Sequence, residues 1–235
     1  RLVDQGHDVH VAYQTSGNTA VWDTDVLRYV EFAIDFNKSI GDDTSKLEAT
    51  YDKMWKFFSK KKPNDIDIPE VRDVKAFIRK TEAIAGARYA GLNDENIHFM
   101  ALPFYETGKK VKKPMTEKDV KLTMELLQEI KPHQVFTAGD FADPHGTHIV
   151  CFHIVLEALN ELRKTEEWTK DCWLWMYRGA WQEFHVASTR SPMAVLLATT
   201  LGGSASTPME SVFRLSTVSP IPSVTFIQVP SLMVA

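Results

Sequence analysis

The chain has 235 residues, 44% of them hydrophobic and 25% charged, with a formal net charge of −4. That length allows one or two domains with a sizeable core, and the charge balance gives no ground for binding nucleic acid or an anionic membrane. Cys151 and Cys172 stand outside any Cys-x-x-Cys pattern, which argues against a disulfide framework or zinc ribbon and fits a reducing, cytoplasmic setting. No apolar run reaches the roughly 20 residues that span a bilayer, and the N-terminus is not a signal peptide.

The chain opens without Met, and residues 1–6 read as the last turn of a helix closed by Gly6 in the left-handed cap position. This predicts that a strand and most of a helix precede Arg1, so that the chain is a fragment. Residues 7–15 alternate polar and apolar and run into Ser16-Gly17-Asn18, a strand followed by a turn. Residues 23–36 carry Val26, Leu27, Val30, Phe32, Ala33 and Ile34 at helical spacing. Residues 42–58 do the same through Leu47, Tyr51, Met54, Trp55 and Phe58. The cluster Lys60-Lys61-Lys62-Pro63 ends that helix and reads as a solvated loop.

Pro69 suits the first turn of the next helix, which runs through Val71, Val74, Phe77, Ile78, Ile84 and Ala87 to a stop near Gly91. A short strand follows at 97–102, then a loop at 103–113. Thr116 opens a helix with Glu117 and Asp119 in its first turn, where the helix dipole favours acids. A strand at 134–138 leads through Asp143-Pro144-His145-Gly146-Thr147-His148 into a helix reaching about residue 163. Residues 173–177 form another strand, continuous in its hydrophobicity and so expected to be buried on both faces.

Strands alternating with helices predict an α/β fold with a mostly parallel sheet and helices on both faces. From 187 to 235 this grammar stops. Ser, Thr, Pro and Val dominate, and Arg190, Glu210 and Arg214 are the only charged side chains. A linker, short irregular strands and an out-of-frame translation are the competing readings, the last favoured by the abruptness of the change. The domain reading is therefore residues 1–186 as one α/β domain and 187–235 as an atypical tail.

Open α/β sheets bind ligands at the carboxyl edge of their strands, which is where the His-x-x-His turn falls. Asp143 suits an N-cap, Pro144 the first helical position, and His145 and His148 then share a helical face. Partial positive charge at a helix N-terminus disfavours imidazolium, and neutral imidazole is what zinc binds. His145, one turn earlier, can donate to a developing oxyanion. The alternative is a pair of ordinary helix-start histidines. A hydrolytic zinc takes three protein ligands, and only one is evident here. Arg79 and Glu82 form an i, i+3 pair that reads either as a surface ion pair or as a held, substrate-contacting arginine. Ser16-Gly17 is a weak signal for a ligand-lining turn.

Residues 7–17, the Arg79-x-x-Glu82 helix and Asp143-Pro144-His145-Gly146-Thr147-His148 together resemble the LmbE/PIG-L-like N-deacetylases. The wording of residues 1–18, 138–151 and 175–181 is similar to the deacetylase-like region of long bacterial glucosamine-6-phosphate deaminase proteins. The resemblance implies a Rossmann-like three-layer domain with one zinc. It also implies a function, zinc-dependent hydrolysis of the N-acetyl group of an N-acetylglucosamine-type amino sugar. His148 matches a zinc ligand, His145 the oxyanion-polarising histidine and Arg79 a substrate-binding arginine. Gly146 stands where the family often has Asp, which leaves Asp143 to orient His145. The family's His-Pro-Asp-Asp motif, with its general base, has no match in the chain, so the chain alone is expected to be inactive. The alternative is a non-catalytic module that binds a sugar phosphate or docks on a deaminase partner. A homo-oligomer or a fused deaminase domain is the expected association. A dinucleotide site ranks last, because no Gly-x-Gly-x-x-Gly turn is present.

Overall fold

The computed structural model describes residues 1–109, 112–139, 143, 145–177 and the backbone of Val224–Gln228. Its chain starts with a 3-10 turn, Val3–Gln5, closed by Gly6 at φ 81°, and enters β1 (Asp8–Tyr13). Three helices follow, α1 (Asp23–Ser39), α2 (Ser45–Phe58) and α3 (Pro69–Tyr89), the last with Pro69 in its first turn. Then come β2 (Ile97–Phe99), α4 (Glu117–Ile130), β3 (Gln134–Ala138), α5 (Thr147–Leu162), β4 (Trp173–Tyr177) and β5 (Val224–Gln228).

The five strands among the described residues are parallel, in the order β2-β1-β5-β3-β4. The centre is supplied by β5, which pairs with β1 from Asp8↔Val224 to Ala12↔Gln228 and with β3 from Gln134↔Thr225 to Phe136↔Ile227. The expected parallel α/β class is thus present, with a strand that periodicity did not single out. A five-residue run of Val, Thr, Phe, Ile and Gln is too short to stand out by pattern, and its partners are remote in sequence. The rest of the tail, and the reading-frame question attached to it, lies outside the described residues.

Alternation along β1 directs neighbouring side chains to opposite faces. Ala12 and Val135 join Leu127 of α4 and Val155, Ala158, Leu159 and Leu162 of α5 in a closed apolar cluster. Tyr13 leaves β1 on the other side, where its hydroxyl donates to the Ala83 carbonyl of α3 (3.2 Å). α1, α2 and α3 build a second core from Val26, Val30, Ile34, Met54, Val71 and Ile78. Both cysteines are buried, and they form no disulfide with each other. No helix among the described residues is long and apolar enough to cross a membrane.

Three expectations need correction. β4 is an edge strand, with Trp173 66% and Met176 43% exposed, so its continuous hydrophobicity does not reflect burial on both faces. Phe32, Trp55 and Phe77, part of the apolar helical spacing read from the sequence, are exposed. Lys61 is not a freely solvated loop residue. It reaches Asp23 (2.7 Å) and Asp67 (2.6 Å), and the buried Lys75 binds the same two carboxylates. Burial pushes the Asp23 carboxyl up, but Lys61 and Lys75 outweigh it and hold the group below the usual carboxylate range.

Candidate functional site

The C-terminal ends of β1, β2 and β3 open toward one edge of the sheet, and the loops there carry most of the polar chemistry. After β3, the Gly139 N–H donates to the Tyr177 carbonyl and extends the ladder by one bond (2.8 Å). The chain then reaches Asp143, which is buried. Its Oδ1 accepts from the His145 backbone N–H and its Oδ2 from the His148 backbone N–H, both at 2.9 Å.

Helix α5 starts at Thr147, after Gly146 at φ 68°, and not at Pro144 as the spacing suggested. The carboxylate nevertheless does capping work, because it satisfies an N–H of the first helical turn that has no intrahelical acceptor. Consequently His145 lies in the turn before the helix and is exposed, whereas His148 lies within the first turn and is half-buried. They do not share a helical face. Asp143 orients both residues through their backbone.

After β1, Gln14 is buried and its Nε2 donates to the Cys151 carbonyl of α5 (3.4 Å). Ser16 turns toward Glu106. Its N–H and Oγ–H donate to Oε1 (2.8 Å) and Oε2 (2.9 Å) of that carboxylate. Thr19 and Tyr105 share a hydroxyl–hydroxyl bond of 2.6 Å.

The loop after β2 runs beside β1, with the Met100 and Leu102 N–H groups donating to the Tyr13 and Gln14 carbonyls. The fully buried Asp119 pins it. One of its oxygens accepts from the Phe104 N–H (3.0 Å), the other from the Thr116 N–H (2.8 Å) and hydroxyl (2.6 Å) at the start of α4. Leu102, Phe104 and Tyr105 therefore pack on Cys151 and Ile154 of α5. This brings Tyr105 beside the helix that carries His148. Sequence reading treated 103–113 as a plain loop and missed Tyr105, Glu106 and Lys112. The usable signal was an aromatic-acid pair followed by four lysines between a strand and a capped helix.

Arg79 projects from α3 with its side chain 17% exposed and donates to Glu82 at 2.5 Å, the expected i, i+3 pair. It lies close enough to Tyr13 for its charge to act on the phenol, although burial dominates and raises that pKa.

Zinc as hydrolysis requires it takes three protein ligands and an open position. Both Asp143 oxygens are engaged by backbone N–H groups, and among the described residues no group of three His, Cys, Asp or Glu side chains could hold a metal ion. The described residues do not make up a hydrolytic metal site.

Comparison with known proteins agrees with the motif-level resemblance. The family model described as PIG-L, GlcNAc-PI de-N-acetylase, matches residues 1–159. A glucosamine-6-phosphate deaminase-like protein of Bacteroides thetaiotaomicron is 47% identical over 189 residues, covering 79% of this chain and 28% of that protein. The chain thus spans little more than a quarter of the length of the curated relative it matches. No solved structure matches the chain. By the extent of the family match, the chain belongs to the PIG-L family of deacetylase-type hydrolases.

Proposed function

We propose that this chain is part of a hydrolase that removes the N-acetyl group of an N-acetylglucosamine-type amino sugar, with zinc or another divalent metal as cofactor. The family match over residues 1–159 carries this reading. In it the parallel sheet is the middle of a Rossmann-like three-layer frame. Small-molecule amino sugar, rather than nucleic acid or membrane, is the partner, and the setting is cytoplasmic.

His145, exposed at the mouth of the turn, donates a hydrogen bond to the oxygen that gains charge as the acetyl carbonyl is attacked. Asp143 holds its backbone so that the ring is presented at the sheet edge. Arg79, steadied by Glu82, binds the sugar. His148 is the metal-ligand candidate. No step is derived through the metal, because the described residues fall short of a ligand set. Because the family's His-Pro-Asp-Asp motif with its general base has no match in the sequence, the 235-residue chain by itself is proposed to be inactive.

A second reading is a non-catalytic module that binds a sugar phosphate or docks on a deaminase domain. The deaminase-like description of the Bacteroides relative favours it.

Acetate release from N-acetylglucosamine in the presence of zinc tests both readings. It is to be measured for the 235-residue chain, for a protein extended to the full length of the Bacteroides relative, and for the extended His148→Ala variant. The expected pattern is release by the extended protein, a loss of about a hundredfold or more in the variant, and none from the chain alone. No release from the extended protein would overturn the hydrolase reading in favour of the module. Release by the chain alone would overturn its inactivity.

A further inference from the structure

We propose that Lys112, with Arg72 at the other end of its loop, forms a subsite for a phosphate group on the ligand of the sheet-edge crevice. This deepens the amino-sugar reading and rests on it for the remainder of the ligand.

The Nζ of Lys112 is sealed from solvent and has no hydrogen-bond partner among the described residues. It stands 3.6 Å above the centroid of the Tyr105 ring. The ring face attracts a cation, yet it offers nothing to the three N–H donors. Glu106 draws on this charge, but its two oxygens are hydrogen-bonded to Ser16. Buried polar groups in folded proteins have partners, and an orphaned one points to a water, an ion or a ligand. A water would satisfy the donors without balancing the charge. An anion does both.

Two further buried groups also lack partners among the described residues. Arg72 of α3 has a buried Nε with no acceptor, and the loop presses on it at Gly108. A Cβ at Gly108 would stand 3.0 Å from the Arg72 Cδ, and the glycine holds φ 72°. Gln14, buried at the end of β1 and bonded to Cys151, leaves its Oε1 without a donor. Among the described residues, this side of the sheet edge thus holds unsatisfied buried donors on two cations and one unsatisfied acceptor, which suits an anionic group joined to a hydroxyl-bearing or amide-bearing body.

Charge selects phosphate over carboxylate. The stretch 109–113 contains four lysines, and the adjacent acid, Glu106, is already engaged. That excess of positive charge favours a dianion, and a lysine serves phosphate well as a point charge. Burial holds the Lys112 ammonium at about 8, against the pull of Glu106 in the other direction. It is therefore mostly charged at neutral pH.

Titration calorimetry on the 235-residue chain tests the subsite, using inorganic phosphate, N-acetylglucosamine and N-acetylglucosamine 6-phosphate. In the wild type the sugar phosphate is expected to bind more tightly than either part. Lys112→Gln should weaken both phosphate ligands about tenfold or more and leave the neutral sugar unchanged, while Lys112→Arg should retain most of the affinity. Absence of phosphate binding, or binding indifferent to Lys112→Gln, would overturn the subsite. Lys112-dependent phosphate binding with no gain from the attached sugar would uphold the subsite and remove the amino-sugar reading instead.

Discussion

His10 and His98 pair across β1 and β2, Nδ1 to Nε2 at 2.9 Å, with their rings nearly parallel. A bond between two ring nitrogens needs one N–H and one lone pair, so both rings cannot be imidazolium while it persists. Asp8 lies 3.5 Å from the far nitrogen of His10. Burial, then the charge of His10, push the His98 pKa down, against an opposing pull from Glu129 on α4. Burial also lowers that of His153. For a histidine with a depressed folded-state pKa, the unfolded chain binds more protons between that lowered value and about 6.5, so stability rises with pH through this window. The urea midpoint is therefore expected to fall as pH drops from 7 to 5. His98→Gln should flatten part of that slope and leave the His153 part. A midpoint with an unaltered slope in the variant would contradict the argument.

At the level of one element, the entry to α5 shows how a single carboxylate sets a site. Asp143 accepts the two N–H groups that fix where His145 and His148 leave the backbone. Asp143→Ala removes a charged acceptor from two donors and should cost about 1–2 kcal/mol in chemical denaturation. Asp143→Asn keeps one oxygen and should cost less. Equal stability of all three proteins would show that the turn is held by other contacts.

Helix α1 carries a different message. Val26, Val30 and Ile34 face the three-helix core, whereas Tyr29, Phe32, Phe36 and Ile40, at the same helical spacings, are exposed. Both stripes satisfy a 3.6-residue period, so periodicity identified the helix without deciding which stripe is buried.

For the molecule as a whole, the centre of the sheet depends on its most distant segment. β5 pairs with β1 across more than two hundred residues of sequence and, among the described strands, stands between β1 and β3 in the sheet. A chain ending at residue 223 would leave β1 and β3 each with an unpaired edge, a state that invites aggregation. Its thermal midpoint should drop by on the order of 10 °C or more relative to the full chain, with larger species visible in size-exclusion chromatography. An unchanged midpoint would remove β5 from the structural core. Pairing over such separations also predicts slow refolding, since loop closure precedes the gain from the contact.

The sequence by itself determined the helices, the strands from β1 to β4, the parallel α/β class and the family. These follow from local periodicity, Pro and Thr at helix starts, and motifs read as words, none of which needs distant partners. The tertiary structure decided the rest. It chose the buried stripe of α1, left β4 at an edge, and moved the start of α5 past His145. It seated a tail strand at the centre of the sheet and set the Lys112 Nζ, sealed from solvent, over the Tyr105 ring. Each of these outcomes is a competition between surfaces for burial or a charge stripped of solvent. Such energies exist only once remote segments are in contact.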